Sequence, residues 1–511
     1  MKAKRIAVAR VTLEAVSPLI VGSGRGDAVS DAVCTTDANG VPMIPGTSIA
    51  GMLRHQGGKA SLSAEDEKSP VKNPFGYQQR DLGARSRIVV HHGYGHDATD
   101  RPVSPQPSAR RGYDAVLEAM RDGTIRDHVK LTGAGVADEM GKFDERLVPR
   151  GARFTFDVLL EEPDVDGGSE RSNVEALCAE LEAILAPLAH RDAALGGRTR
   201  RGFGLVQVVR GKLAGIDLCR AEDRATWEKY IRGEDFGGRD LKLVAAADEE
   251  RSRGMLEVEP EDFWIFGRGE DILETITDRQ GRTRTRRTQM TPKREVVIKW
   301  EGSRGVVVDR DLENVRDTRP AVVPGSGVKG ALRHRALFHA RRRTREWNAN
   351  RRPDAPTDAE LCIDLLFGLE PRSGSREERG LPGRVFVGDV KFVPKEKGQG
   401  RLDHVSVDRF TGAPMDGMLF GEEPLYRGRF ELSIAVDHRV SQNCPAGDRR
   451  LLALALRSLV DALSDLEQGR LALGGGSNRG HGYVKAKCEG LKKAIEAAAD
   501  KVEGAETEDT R

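Results

Sequence analysis

Five segments of this chain recur later in the chain in the same order. The pairs are IPGTSIAGMLRH (44–55) with VPGSGVKGALRH (323–334), PFG (74–76) with LFG (366–368), SRIVVHHG (86–93) with GRVFVGDV (383–390), HVKLTGAGVADEMGKFDERLVPRGARFTFDV (128–158) with HVSVDRFTGAPMDGMLFGEEPLYRGRFELSI (404–434), and LGGRTRRGFGLVQV (195–208) with LGGGSNRGHGYVKA (473–486). Spacing is kept as well, because Pro45 and Gly196 are 151 residues apart and Pro324 and Gly474 are 150 apart. Repetition that preserves both order and spacing indicates a tandem duplication, so we expect two versions of one fold.

The same pattern of elements is predicted in both copies. Copy one opens with AVARVTLEAVSPLIVGSG, which partly alternates as a strand does, and later has NVEALCAELEAILAPLAH, whose apolar residues fall on one helical face. Copy two has the counterparts GMLEVEPEDFWIFGRG and RRLLALALRSLVDALSDLEQG. Strands interleaved with two helices per copy predict an α+β protein of two tandem ferredoxin-like or RNA-recognition-motif domains.

The chain length is compatible with this division. Its 511 residues correspond to about three average domains or two larger ones with insertions. We expect a first domain at 1–211, a charged connector at 212–253, a second domain at 254–490 and an acidic C-terminal tail at 491–511 that begins as a helix. The second domain carries an Arg-rich insertion at 270–307, which predicts an arm on phosphate or a solvated loop.

Composition excludes several classes of protein. No stretch approaches the ~20 apolar residues of a membrane-spanning helix, and the N-terminus lacks the apolar region of a signal peptide, so we expect a cytoplasmic protein without membrane contact. The six cysteines show no CxxC spacing, which argues against a disulfide framework or a cysteine zinc site. His91, His92 and His96 could bind a metal, but copy two lacks them, which favours a polar loop.

The PG[TS] segments each predict a tight turn that enters a helix. Proline fixes φ, a glycine follows, and Thr47 or Ser326 is placed to cap the helix. N–H groups in the first turn of a helix bind phosphate well. The candidate phosphate-binding residues are Pro45, Gly46, Thr47, Ser48 and Arg54 in copy one, and Gly325, Ser326, Lys329 and Arg333 in copy two. An ordinary capped helix is the alternative.

The glycine-rich loops, GGRTRRGFG (196–204) and GGGSNRGHG (474–482), combine glycines with arginines. No GK[ST] follows, which excludes a P-loop, and the position after a helix excludes a dinucleotide fingerprint. Exposed N–H groups and arginine in one loop suit a phosphodiester. The candidate residues are Gly196, Gly197, Arg198, Arg200, Arg201 and Gly202, with Gly474, Gly475, Gly476, Arg479 and Gly480 in copy two.

An aspartate precedes each PG[TS] turn. Asp31 lies six residues before Asp37, and Asp311 lies six before Asp317, so Asp31 aligns with Asp311. Such a carboxylate could orient a 2′-hydroxyl, accept its proton, or help hold one hydrated Mg²⁺ or another divalent cation. A turn cap is the alternative. The sequence does not assign metal ligands.

Together these motifs resemble the RAMP superfamily of CRISPR-associated proteins. The PG[TS]xxxGxLRH elements, the VDRFTGAPMDGMLF segment at 407–420 and the GG…RGxG loops carry the resemblance. More narrowly, the chain looks like the backbone subunit of a type III effector complex present twice, as in the type III-D class. Two departures are Ala50, where a lysine is usual, and HVKLTGAG in place of a DRxTG segment.

The resemblance implies a role in RNA-guided defence. It implies that both copies hold a CRISPR RNA and that a β-hairpin thumb, from about 120–147 and 398–422, kinks the duplex with a complementary target RNA. It implies target cleavage by Asp31 and Asp311, with Asp309 as a substitute for Asp311, and a divalent metal. The implied partners are the guide, the target, a large polymerase-like subunit, a small subunit and further RAMP subunits.

Other functions remain open. The chain could be a scaffold that holds guide RNA without cutting, its Asp loops being degenerate. A repeat-processing endoribonuclease of the same superfamily would need a histidine near the first helix, for which His55 and His334 are the candidates. A small-molecule enzyme is not supported by any cofactor motif.

Overall fold

The structure is a computed structural model that describes residues 5–27, 30–55, 73–79, 82–103, 113–131, 137–163, 173–245, 250–267, 272–277, 280–281, 283–309, 319–347, 356–369, 380–393, 398–440 and 446–504. Copy one contains strands β1 (Arg5–Ala15), β2 (Met43–Ile44), β3 (Tyr77–Gln79), β4 (Leu82–Ala84), β5 (Ile88–Val90), β6 (Gly93–Gly95), β7 (Thr124–Leu131), β8 (Ala137–Leu147), β9 (Arg153–Glu161) and β10 (Val206–Asp217), and helices α1 (Gly46–Leu53), α2 (Ala115–Asp122) and α3 (Val174–Leu185). Helix α4 (Ala221–Ile231) and strand β11 (Arg239–Asp240) follow it.

Copy two contains a similar set. Its strands are β12 (Arg251–Pro260), β13 (Phe263–Trp264), β14 (Ile272–Thr277), β15 (Thr283–Met290), β16 (Val297–Glu301), β17 (Arg304–Val308), β18 (Ala321–Val323), β19 (Val385–Val387), β20 (Val390–Phe392), β21 (Leu402–Val407), β22 (Pro414–Glu422), β23 (Leu425–Tyr426), β24 (Phe430–Asp437) and β25 (Val484–Lys487). Its helices are α5 (Gly325–Thr344), α6 (Asp358–Phe367), α7 (Ala446–Glu467) and α8 (Glu489–Gly504).

The two main sheets have equivalent strand orders. In copy one the order is β11-β10-β1-β9-β6-β2, with β5 also paired to β9. In copy two it is β19-β24-β12-β25. In each copy the first strand therefore lies between the last strand and the strand before it, all antiparallel. This is the order of a ferredoxin-like fold, and it confirms the predicted α+β class with two tandem domains.

Each copy inserts a β-hairpin between its second and third main strands. In copy one β7 pairs with β8, and in copy two β21 pairs with β22. These hairpins fall within the segments 120–147 and 398–422 expected to form thumbs, so the predicted hairpins are confirmed.

Apolar faces of the helices form the cores. Helix α3 buries Leu177, Leu181 and Leu185 against the first sheet, in agreement with its predicted face. Helix α8 buries Leu491 and Ile495 in the core of copy two. The predicted tail at 491–511 therefore begins as a core helix through residue 504, and 505–511 lie outside the described residues.

Part of the predicted connector covers the first sheet. Strand β10 runs past residue 211 to Asp217, and α4 follows it. Tyr230 and Phe236 pack on Ile6 and Ile216, on the face of the sheet opposite the main core. In the described part of the chain, no helix is both long and apolar enough to cross a membrane.

The insertion at 270–307 joins the two copies. Strand β15 pairs with β22 beside the second hairpin. Strands β16 and β17 form a hairpin that packs on copy one, where Ile298 N donates to Arg150 O at 2.9 Å and Trp300 Nε1 donates to Gly151 O at 2.7 Å. The expectation of a phosphate arm or a solvated loop is wrong for this part, because Ile298 is buried in the copy-one core.

A buried ionic cluster completes the junction between the copies. Arg126, at the base of the first hairpin, is 1% exposed and donates Nε to Glu295 Oε1 at 2.8 Å and Nη1 to Asp389. Burial would lower the pKa of Arg126, but the charges of Asp389 and Glu295 outweigh it and raise that pKa. Arg126 therefore stays charged and binds two carboxylates of copy two.

Candidate nucleic-acid interface

Helices α1 and α5 begin directly after the prolines of the PG[TS] turns, as predicted. Gly46 N donates to His92 Nδ1 at 3.1 Å, and Gly325 N donates to Asp389 Oδ1 at 2.7 Å. His92 and Asp389 are equivalent positions of the third repeated segment. The expected capping by hydroxyl residues of the turn is therefore wrong, since neither helix has a side-chain cap of that kind.

The two glycine loops fold alike. Each contains one 3-10 turn, at Thr199–Arg201 and at Ser477–Arg479. Gly204 and Gly482, which end the loops, have φ of 76° and 79°. A Cβ at either would lie 2.0 or 2.2 Å from the carbonyl oxygen of the leucine that precedes the loop. Only glycine fits there, so the backbone shape of the loop is fixed by its sequence.

A cleft of about 480 Å³ lies where α1, the first glycine loop and copy two meet. Ser48 and His55 line one wall, Gly196, Gly197 and Arg200 line a second, and Arg251, Phe386 and Arg439 of copy two line the third. Four predicted residues are thus brought together. The arginines of copy two were missed because no motif marks them and they come from a distant part of the chain.

Arginines of the first glycine loop contact protein groups. Arg198 donates Nε to Glu145 Oε1 at 2.7 Å, and its side chain is 41% exposed. Arg200 donates Nε to Gly383 O of copy two at 2.5 Å. Arg201 lies over an aromatic ring of the first hairpin. Part of the Arg198 guanidinium is therefore accessible, whereas Arg200 also links the two copies. Gly202 is buried against copy two.

The corresponding helix start in copy two faces copy one. Lys329 Nζ donates to Arg200 O at 3.3 Å and to Val385 O at 2.8 Å. Burial, together with the neighbouring guanidinium groups of Arg200, Arg201 and Arg333, lowers the pKa of Lys329 to about 7. Lys329 thus holds the first glycine loop against copy two.

The remaining predicted residues are more accessible. Thr47 and Arg54 are exposed on α1, and Pro45 and Ser326 are partly buried. Arg333 pairs with Asp364 at 2.8 Å. In the second glycine loop, Arg479 donates to Glu422 and remains 39% exposed. Its neighbours Gly474 and Gly480 are exposed, and Gly475 and Gly476 are partly buried.

Asp31 lies at the base of the first hairpin. Asp31 N donates to Asp144 O, and Asp144 N donates to Asp31 Oδ2, both at 2.9 Å. The Asp31 side chain is exposed, outside the cleft lining. Burial, then the hydrogen bond and charge of Asp127 and the charge of Asp31, raise the pKa of Asp144. Asp311 lies outside the described residues, and Asp309 follows the end of β17.

The donor chemistry at Asp31 suits a hard cation, because carboxylate oxygens are the ligands that Mg²⁺ takes. Among the residues that the structure describes, no three His, Cys, Asp or Glu side chains converge at metal distance. In the described part of the chain, Asp31 would offer a cation one exposed carboxylate, one oxygen of which already accepts from Asp144 N.

Comparison with known families identifies the fold. The model of the RAMP superfamily matches residues 12–207 and, separately, 258–485. The chain belongs to the RAMP superfamily. The two matched regions correspond to the two ferredoxin-like units, so the protein is a tandem fusion of two RAMP domains. A search of curated proteins gives no match. RAMP membership supports a CRISPR-associated subunit that binds RNA, and the superfamily includes members that cleave RNA.

Both RAMP domains contain a buried carboxylate that the motifs did not reveal. Glu145 and Glu422 lie at the bases of the hairpins, where they approach His128 and His404 across the strands. Counted without gaps, the fourth repeated segment pairs Glu145 with Gly421, one residue away from the true equivalent, Glu422. The shared histidine that opens that segment was the available signal, because the hairpin register counted from it leads to Glu422.

Proposed function

We propose that this chain is a CRISPR RNA-binding backbone subunit of a type III effector complex, of the type III-D kind, and that it cleaves complementary target RNA. The hairpin at the same place in both RAMP domains, with Asp31 at its base, is the observation that carries the proposal. Two hairpins in one chain would interrupt a guide–target duplex at a regular interval. The partners would be the guide, the target, a large polymerase-like subunit, a small subunit and further RAMP subunits.

The first glycine loop and α1 would bind the guide backbone. The Ser48 hydroxyl and the exposed part of Arg198 suit phosphate oxygens. Gly196 and Gly197 add no side chain that would block the backbone of an RNA, and the Gly197 N–H is already bound to Ile20 O at 2.7 Å. These groups read shape and charge, so sequence selection would come from base pairing with the guide. Binding is expected to weaken steeply with salt, because phosphate contacts release counterions.

The exposed carboxylate of Asp31 would act on a nucleotide displaced by the hairpin. It would orient the 2′-hydroxyl and accept its proton as that oxygen attacks the adjacent phosphorus. The bond to the 5′-oxygen of the next nucleotide breaks, and that oxygen takes a proton from water. The products are a 2′,3′-cyclic phosphate and a 5′-hydroxyl. A divalent cation on Asp31, when bound, would neutralise charge that develops on the phosphate. Asp311 would have the same role in copy two.

A cleavage map tests the proposal. The complex is assembled with guide and partner subunits, given labelled complementary RNA and Mg²⁺, and compared with Asp31→Ala and Asp311→Ala. Each substitution should remove one distinct cut, with a loss of about 10²- to 10⁴-fold, the usual contribution of a general base. Asp37→Ala is the matched control, because Asp37 accepts from Asn39 N and Val41 N as a turn cap and should leave both cuts.

A scaffold without nuclease activity is the second candidate. It is favoured by the Asp31–Asp144 hydrogen bond, which is also what a structural turn would make. An unchanged cutting pattern in both variants, with guide RNA still bound, would select the scaffold and place the nuclease in a neighbouring subunit.

A further inference from the structure

We infer that Glu145 and Glu422 are positioning residues that fix one glycine-loop arginine in each copy for contact with an RNA phosphate. The inference rests on the RNA binding proposed above and adds residues that none of the sequence motifs contains. We call the Glu145–Arg198 and Glu422–Arg479 pairs the loop locks.

In copy one, the lock is a buried carboxylate between two basic groups. The Glu145 side chain is 2% exposed, and its Oε1 accepts from Arg198 Nε at 2.7 Å. Its Oε2 lies 3.3 Å from His128 Nε2. The His128 ring stacks on Phe143, with ring centroids 4.8 Å apart. Glu145 thus lies between the histidine of the hairpin and the arginine of the loop, and its hydrogen bond is to the arginine.

Copy two repeats the arrangement. The Glu422 side chain is 1% exposed and accepts from Arg479. His404 Nε2 lies 3.3 Å from Glu422 Oε2, and its ring stacks on Phe420 with centroids 5.1 Å apart. The same four side-chain types therefore surround the glutamate in both copies, and in copy two His481 Nε2 also lies 3.7 Å from Glu422 Oε2.

The arginines reach the glutamates from different places in the loops. Aligned on their glycines, Arg198 corresponds to Gly476, and Arg479 corresponds to Arg201. The two loops have thus diverged in sequence and have kept the contact with the buried carboxylate. An ion pair with one exposed partner contributes only about 0–1 kcal/mol to stability, so stability alone does not account for keeping the lock twice.

Both arginines stay partly exposed while they contact the glutamate. Arg198 donates Nε to Glu145 and keeps 41% of its side chain exposed, and Arg479 donates Nη2 to Glu422 and keeps 39% exposed. A guanidinium fixed by one carboxylate loses less freedom when it binds a phosphate, and this lowers the entropy cost of the contact. The carboxylates act through the arginines and need not touch RNA.

The same strand also fixes the Asp31 loop. Asp31 N donates to Asp144 O, and Arg146 N donates to Ala32 O at 3.0 Å, on either side of Glu145. One short stretch of β8 therefore positions both Arg198 and Asp31.

A double-mutant cycle tests the inference. The affinity of the full chain for a fluorescently labelled single-stranded RNA is measured over a range of salt for wild type, Glu145→Gln, Arg198→Ala and the double variant. Glu145→Gln should weaken binding by about fivefold, as Arg198→Ala does, because either removes the same contact. The double variant should bind RNA no more weakly than Arg198→Ala. In each of the three variants the negative slope of log affinity against log salt should become shallower by about 0.7, the contribution of one phosphate contact.

Glu161→Gln is the matched control. Glu161 is likewise a buried carboxylate of copy one, paired with Arg85 at 2.8 Å, and lies on the sheet away from the glycine loop. It should leave RNA affinity and the salt slope unchanged. The same cycle with Glu422→Gln and Arg479→Ala repeats the test in copy two should Glu145→Gln fail to fold.

The outcomes distinguish the proposed RNA-binding function from the positioning role of the two glutamates. A wild-type chain that does not bind RNA overturns the proposed function and this inference with it. If the wild type binds and the effects of Glu145→Gln and Arg198→Ala simply add, the proposed function stands and the positioning role is wrong. If Glu145→Gln and Glu161→Gln lose RNA affinity equally, the positioning role is also wrong, since the loss would then come from a disturbed fold.

Discussion

At the scale of the residue, Lys329 was found through its motif as a candidate phosphate-binding residue, whereas the structure places it at the junction between the two copies. Its folded pKa of about 7 lies below the 10.5 of an unconstrained lysine. The unfolded chain therefore binds the extra proton between these values, and the free energy of unfolding should rise as pH increases from about 7 towards 10, by up to about 1.4 kcal/mol per pH unit. Lys329→Met should lose this dependence, measured by chemical denaturation over that pH range.

The control for this prediction is Lys242→Met, because Lys242 is exposed and its replacement should leave the pH dependence of the wild type. If the Lys329→Met protein keeps the wild-type pH dependence of the free energy of unfolding, the prediction is wrong. Lys329 would then not lose its proton on folding, and its ammonium group would be solvated.

Sequence reasoning could place the loop residues and could not assign their partners. Glycines and prolines act locally through allowed backbone angles, so the turns and loops were predictable. Arg198 instead contacts a residue 53 positions away, and Arg200 contacts one 183 positions away. Such pairs depend on how the two copies pack, which a pattern within one segment does not contain. For the same reason the aspartate prediction located Asp31 and could not reveal its neighbour Asp144.

At the scale of elements, α8 is a core helix in a segment that the sequence analysis assigned to an acidic tail. Its apolar residues are buried against the copy-two core, and Ile495 is fully buried. Ile495→Ala should lower the free energy of unfolding by about 2–5 kcal/mol, since it leaves a cavity. Glu496→Ala, the exposed neighbour, should change it by less than about 0.5 kcal/mol. Equal effects in chemical denaturation would mean that the helix is not part of the core.

Strands and helices were more predictable than their assembly. Alternation and helical periodicity arise from burial of one face, and they identified β1 and α3. The insertion at 270–307 was misjudged because its arginines suggested solvent, whereas Val297 and Ile298, inside the same segment, determine where it packs. A short apolar stretch can bury a segment that is otherwise rich in charges when another surface is there to cover it. For this insertion, that surface is the core of copy one.

At the scale of the whole molecule, the two copies are joined by groups that are not duplicated. Arg126 faces Glu145 across the first hairpin, and the corresponding residue of the second hairpin, opposite Glu422, is Leu402. Asp389, which Arg126 binds, corresponds to His92 in copy one. A RAMP domain can therefore have an apolar residue at this position of the hairpin base. The cluster of Arg126, Glu295 and Asp389 belongs to the junction between the copies.

Arg126→Leu should consequently damage the junction and leave the hairpin intact. It removes the cation from two buried carboxylates, a loss that costs about 3–5 kcal/mol in comparable sites. Chemical denaturation should show that decrease. Arg239→Leu is the control, because Arg239 forms an exposed pair with Glu182 and should cost no more than about 1 kcal/mol. Equal losses in the two variants would mean that the buried charges stabilise the junction no more than a surface pair does, and that the other contacts between the copies hold it together.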